Sequence, residues 1–372
     1  MSTHTFLRVR RAGTLLMAMI VLIFRAASAA QAQTPSAPKT ENARLEQRAV
    51  TGSLSETAHA WAKAADHPQW LAYSVPAVGG DRQVCCGNNW GNGSCGPCHL
   101  ESSDHGSNIN LRNDKVELEG QRRIIILLRA EAHQVGKIRV VSEDCTIDAG
   151  GLEVNWLGAA NPAESVKLLE TFVDSKELDE RGGDRPSRGA LTAIALTGDS
   201  SADQALAHFA APDQSEGKRK EAAFWAGEAR GDAGLALLER MAKTDPSSEV
   251  RAHVTFALSL SRQDAAAGEM IRMAHEDSST HVRGQALFWL AQKAGKKAAA
   301  TITAAIEDDP DTEVKKKAVF ALSQMPKDEG VPKLIEVAQN NRNPEVRKQA
   351  MFWLGQSNDP RALDFFEKVL SK

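Results

Sequence analysis

The chain has 372 residues, of which 42% are hydrophobic and 25% charged, and its formal net charge is −3. That length exceeds what one hydrophobic core usually serves, and the ordinary composition excludes a disordered or collagen-like chain. The acidic balance excludes bulk attraction to nucleic acid, so no nucleic-acid partner is expected.

Taken in chain order, the first element is a leader. Arg8, Arg10 and Arg11 precede an apolar run over 12–24, and small residues follow at Ala26, Ala27, Ser28, Ala29 and Ala30. This is the pattern of a secretory signal peptide, and the run is shorter than the roughly 20 residues that span a bilayer. Residues 1–32 are therefore expected to be cleaved, which leaves no stable membrane span and a periplasmic or secreted protein. Residues 33–42 are rich in Pro, Ser, Thr, Gln and Lys and are expected to be a flexible linker.

Residues 43–159 are expected to be a small β-rich, disulfide-containing domain, with a helix over 54–65 and strands over 70–78, 115–119, 123–130, 136–141 and 152–157. All five cysteines fall here: Cys85, Cys86, Cys95, Cys98 and Cys145. Export places them where disulfides persist, so all five are disulfide candidates and one thiol is left over.

The run Cys95-Gly96-Pro97-Cys98-His99 matches both the haem-attachment pattern and the redox dithiol pattern. A redox thiol needs a helix start to lower its pKa, and the following 100–106 has poor helix propensity. Covalent haem c, held by Cys95 and Cys98 with His99 as axial ligand, is the alternative to having no cofactor. A zinc site is disfavoured by the adjacency of Cys85 and Cys86 and by the oxidising compartment, so no metal is expected.

From residue 160 the sequence becomes periodic. Val250, Val282, Val314 and Val346 stand at equal 32-residue steps, and so do Phe224, Phe256, Phe288, Phe320 and Phe352. A third series is Arg219, Arg251, Arg283, Lys315 and Arg347, and Ala190 extends the register to about six units over 160–372. Within a unit, Val346, Ala350, Trp353 and Leu354 make the apolar stripe of one helix, and Ala362, Leu363, Phe366, Val369 and Leu370 that of a second. Turns such as Asp245-Pro246-Ser247-Ser248 separate the units. One such pair cannot bury its own stripe, so the pairs must stack into a solenoid.

These motifs resemble the HEAT repeat family in its short, PBS-lyase-like form, whose units carry Asp-Pro, then Val-Arg, then Ala, then Ala-Leu-Gly. The expected fold is thus α+β multidomain: the β-rich cysteine-containing domain, then an all-α HEAT-repeat superhelix. The resemblance implies that the Val-Arg helix lines the concave face, and it implies binding rather than catalysis. Deoxyhypusine hydroxylase, an enzymatic relative, holds iron through repeated His-Glu pairs, whereas this chain has one, His275-Glu276. Phycobilin lyases work inside photosynthetic cells, whereas this chain carries an export signal. Nucleophile-elbow, zinc-helix and Walker patterns are absent, so no catalytic residue is expected.

On the Val-Arg helices, positions three, six and ten after the Val form a strip: Gln285, Phe288 and Gln292; Lys317, Phe320 and Gln324; Gln349, Phe352 and Gln356. Rings flanked by amides suit an extended peptide, so these residues are the expected binding surface for a protein or peptide partner in the cell envelope. The competing expectation is that the rings only fill contacts between neighbouring helices, with Trp225, Trp289 and Trp353 in the core. The recurring Arg or Lys follows Asp213, Asp245, Asp277, Asp309 and Asn341 by six residues, and is expected to pair between units rather than form a basic strip of Lys218, Arg219, Lys220, Lys315, Lys316, Lys317, Arg347 and Lys348.

Overall fold

The structure, a computed structural model, describes residues 37–79, 82–86, 97–101, 107–111, 123–174, 178 and 185–371. The expected leader, the start of the linker, the strand at 115–119 and Cys95 lie outside them. The N-terminal part contains β1 (Thr40–Glu41), β2 (Arg44–Gln47), α1 (Leu54–Ala64), β3 (Gln69–Pro76), β4 (Arg82–Cys86), β5 (Cys98–His99), β6 (Ser107–Leu111), β7 (Arg123–Glu131), β8 (Gln134–Ser142), β9 (Ile147–Asp148) and β10 (Glu153–Ala159). Five strands form one sheet in the order β2-β10-β3-β7-β8; β2, β10 and β3 run parallel, and β3, β7 and β8 antiparallel. Two smaller sheets, β1-β9-β5 and β4-β6, have hydrogen-bond ladders of their own and pack against it.

The apolar runs of β3 and β7 do not alternate because both faces of this sheet are covered. Leu71, Tyr73, Ile126 and Leu128 point into a core shared with the helices. Their neighbours Trp70, Ala72, Ile125 and Leu127 enter a second core with Cys98, Cys145 and Trp156. A two-residue turn at Ala132 and His133, both at positive φ, joins β7 to β8.

After α2 (Pro162–Glu170) come six helix pairs: α3 (Pro186–Leu196) with α4 (Ser200–Phe209), α5 (Glu216–Ala229) with α6 (Gly231–Thr244), α7 (Ser248–Leu260) with α8 (Ala265–Glu276), α9 (Thr280–Ala294) with α10 (Lys296–Asp308), α11 (Thr312–Ser323) with α12 (Lys327–Asn340), and α13 (Pro344–Gln356) with α14 (Pro360–Leu370). The turns act as read from sequence: Ser215, Ser247, Asp311 and Asn343 cap α5, α7, α11 and α13 with side-chain oxygens. Among the described residues, no helix is long and apolar enough to cross a membrane.

The change from strand to helix falls between Ala159 and Pro162, yet the apolar core runs across it from Leu54 to Phe365. Helix α3 lies directly on the sheet, where a Cβ at Gly189 would come 2.3 Å from the Ile138 carbonyl oxygen. Backbone bonds from Val78 N to Leu196 O and from Gly198 N to Pro76 O, both 2.8 Å, join the end of β3 to the end of α3.

Successive units are clamped by the predicted charges. Arg251 donates to both Asp277 oxygens at 2.8 and 2.9 Å, and Arg283 donates to both Asp309 oxygens at 2.8 and 3.0 Å. Arg219 Nε lies 2.9 Å from Asp245 Oδ2. Each clamp also reaches back to its own turn, as Arg251 Nη1 does to Asp245 O and Arg283 Nη1 to Asp277 O. The next rung is different: Lys315 Nζ donates to Glu307 O, and Asn341 Nδ2 to Glu307 Oε1. The basic-strip alternative loses several members to pairing, because Arg219 is buried on Asp245 while Lys220 meets Glu216 and Lys316 meets Glu313.

Candidate functional site

The first helices of successive pairs, α5, α7, α9, α11 and α13, pack on one another much more closely than the second helices do. A stack whose one row is tight and other row splayed curves toward the tight row, so the Val-Arg helices line its inner side. Gly227 permits the closest approach in this row, since a Cβ there would lie 2.1 Å from the Ala257 carbonyl oxygen. Farther along, the aliphatic stem of Lys317 covers Gly284.

This row carries a continuous ladder of rings. Phe224 stacks on Phe256 at 6.2 Å, and Phe256 meets Trp289 at 4.8 Å. Trp289 touches Phe288 at 4.9 Å, Phe288 stacks on Phe320 at 5.7 Å, and Phe320 meets Trp353 at 4.8 Å. Phe352 ends the series, 5.0 Å from Trp353 and 54% exposed. The rings bridge neighbouring helices, and Phe288 and Phe320 are half-buried rather than enclosed. Of the expected core tryptophans, Trp225 is buried, whereas Trp289 and Trp353 are half-buried members of the ladder.

The polar members of the strip stand around the ladder. Gln292, Gln324 and Gln356 are exposed, and Gln285, Lys317 and Gln349 are half-buried. Gln324 and Gln356 flank a cleft of about 190 Å³ whose wall includes Leu322, Met325, Leu334 and Trp353. The Trp353 indole N–H is buried there without a hydrogen-bond partner.

The strip continues toward the sheet through residues that the sequence reading left out. One and two steps of 32 before Gln285 are His253 and Glu221, and Phe256 and Phe224 are the corresponding rings. Burial, then the charge of Lys220, lowers the His253 pKa, so the ring is neutral at pH 7; its Nε2 is buried without a partner. Burial raises the Glu221 pKa against the pull of Arg188. The repeat register would have found both, but three consecutive units with amides drew the boundary of the strip too narrowly.

In the sheet region, Cys98 is fully buried and disulfide-bonded. Cys145 is a correction to the disulfide expectation: its thiol is free and buried, donates to Val84 O at 3.3 Å, and is pushed up to about 12 by burial. It lies in the second core with Trp70, Ile125 and Trp156. The Cys85 and Cys86 backbones lie in β4, paired with Asn108 and Ser107. Cys98 and His99 form a strand and not the helix start a redox thiol requires. His99 Nδ1 lies 2.7 Å from Asp148 Oδ2, and Asp148 Oδ1 accepts from Gly150 N and Asn42 Nδ2. A haem thioether at Cys98 would require its disulfide to open. Among the described residues, no cluster of three or more His, Cys, Asp or Glu could hold a metal. His275 and Glu276 are both exposed at the end of α8, where Glu276 pairs with Arg272.

The family model for HEAT repeats matches residues 269–341 and 299–372. The helix pairs within residues 269–372 match HEAT repeats. No curated protein matches the sequence. Among solved structures, the array is similar to the Escherichia coli protein YibA, at 21% identity over 57% of this chain and 81% of that one, with a TM-score of 0.35. Human deoxyhypusine hydroxylase in complex with glycerol is similar at 18% identity over 56% of this chain and 90% of that one, with a TM-score of 0.25. The CpcE–CpcF complex of phycocyanin lyase from Nostoc is similar at 18% identity over 54% and 79%, with a TM-score of 0.28.

Proposed function

We propose that this chain is an exported, non-catalytic scaffold whose HEAT array holds a protein or peptide partner along the row of Val-Arg helices. The observation that carries the reading is the ring ladder from Phe224 to Phe352, continuous across five units yet open to solvent on one side. An extended chain laid across such a row covers ring faces with its side chains, and its backbone groups pair with amides such as Gln292, Gln324 and Gln356. The free energy of binding comes from apolar area already ordered in the free protein, so little rotamer entropy is lost on the scaffold side. Export rests on the leader pattern and agrees with a disulfide at Cys98, since such bonds persist outside the cytosol.

The test compares Phe288→Ala, Phe320→Ala and Phe352→Ala in capture of envelope proteins by the purified chain. Each is expected to weaken capture of the same partner, and Phe352→Ala to do so with a stability change below about 1 kcal/mol because its ring is largely exposed. Capture undiminished from wild type in all three variants would refute the assignment of the binding face.

A further inference from the structure

One line of the inner face carries two charges that nothing in the fold answers. At equal steps of 32 along α5, α7, α9, α11 and α13 stand Glu221, His253, Gln285, Lys317 and Gln349. Each precedes the Phe of its helix by three residues and so shares a face with the ring ladder. The neighbouring lysines are engaged: Lys220 meets Glu216, Lys293 donates to Ser259 O, Lys315 to Glu307 O and Lys316 to Glu313. Lys317 differs from them. Its stem lies across α9, where a Cβ on Gly284 would collide with Lys317 Cδ. Among the described residues, its half-buried ammonium meets no acid and no acceptor. Glu221 is the opposite case. Among the described residues, no hydrogen bond or ion pair meets its half-buried carboxyl, and burial raises its pKa more than the Arg188 guanidinium lowers it.

We infer that the segment held along the ladder is extended and carries one basic and one acidic residue, the first seated on Glu221 and the second on Lys317. This rests on the reading of the ladder as the binding face. A charge that has already lost part of its water and has no counter-charge gains from an opposite one without a further large desolvation cost on its own side. Phe224 and Phe256, stacked at 6.2 Å on the same face as Glu221, offer ring faces to the same cation. Neighbouring helix axes lie roughly 8 to 10 Å apart, so the three steps from α5 to α11 span about 24 to 30 Å. An extended chain advances about 3.3 Å per residue, which sets the two charges about 7 to 9 residues apart. The stretch between them crosses His253 and Gln285, both neutral at pH 7, and the rings of Phe256 and Phe288, which suits apolar or small polar residues.

Selection of linear peptides from a random displayed library by the full chain tests the inference, with affinities of the selected peptides then measured by calorimetry. The expected sequences share a basic and an acidic residue about 7 to 9 positions apart and bind less well to Phe320→Ala. Glu221→Gln should weaken them by about 10-fold and remove the preference for the basic residue alone; Lys317→Gln should do the same for the acidic residue alone. Gln285 and Gln349 occupy equal places in the register, so the fold accepts both changes. Peptides that depend on Phe320 yet carry no such charge pair, or that are indifferent to both Gln variants, would overturn the inference and leave the binding face standing. A library that yields no binder, or binders indifferent to Phe320→Ala, would overturn the binding face and the inference with it.

Discussion

Replacing Asp277 by Asn removes one charge from an inter-unit clamp while leaving its shape. Asp277 accepts both Arg251 bonds with its side chain only 6% exposed, and its Oδ1 also accepts from Ser279 N at 2.8 Å to form the turn before α9. The fold itself provides the control. Asn341 occupies the same place in the α11–α13 rung and accepts from Asn343 N at 3.0 Å, so an amide fits the turn. The variant should thus retain the turn and leave a buried guanidinium without its counter-charge, at a cost of about 3 kcal/mol. That corresponds to a fall in melting temperature of roughly 6 to 12 °C. Burial alone would raise the Asp277 pKa, but the Arg251 hydrogen bonds and the Ser279 N–H outweigh it and hold the carboxyl below its ordinary value. A depressed carboxylate stabilises the fold above its unfolded pKa of about 3.9 and loses that contribution as pH falls through the folded value. The gap between wild type and Asp277→Asn, read from urea unfolding, should be full at pH 7 and shrink as pH falls below the unfolded pKa and through the lowered folded one. A gap under about 1 kcal/mol at pH 7, or one that persists unchanged in acid, would refute the clamp reasoning.

Other outcomes follow from the same contacts. Lys315→Arg combined with Asn341→Asp completes the missing rung and should raise stability by about 1 kcal/mol in urea unfolding, more than the sum of the single changes. Gly227→Ala drives a Cβ into the Ala257 carbonyl and should cost about 2 to 3 kcal/mol. Gly268→Ala in α8 meets nothing within 4 Å and should instead stabilise by about 0.5 to 1 kcal/mol, so thermal melts of the two variants move in opposite directions. Cys145 should resist iodoacetamide at pH 8 in the folded chain and react once denatured, followed by mass spectrometry; ready alkylation of the native protein would contradict its burial.

The array was legible because each unit repeats one solution to one packing problem. Val250, Val282, Val314 and Val346 are all fully buried, and the Asp-to-Arg spacing found its partner in the following unit. The spacing of Phe288, Phe320 and Phe352 puts one ring on each successive first helix, whereas the interlocking of these rings with Trp289 and Trp353 depends on how far each ring leans toward the next helix. Sequence spacing does not carry that information. The sheet was legible as strands and opaque as topology: Trp70 and Leu71 both read as apolar, and only their burial in two different cores shows that both faces are covered. Cys145 escaped for a related reason, since the count of cysteines is blind to which one is left without a partner.

The most direct test of the binding face is photo-crosslinking from single positions in the full chain. A photoreactive residue placed at Gln292, Gln324 or Gln356 on the ladder side should yield one common adduct, while the same residue at Glu336 on α12 should yield none. Adducts formed chiefly from Glu336, or equally from both sides, would contradict the account.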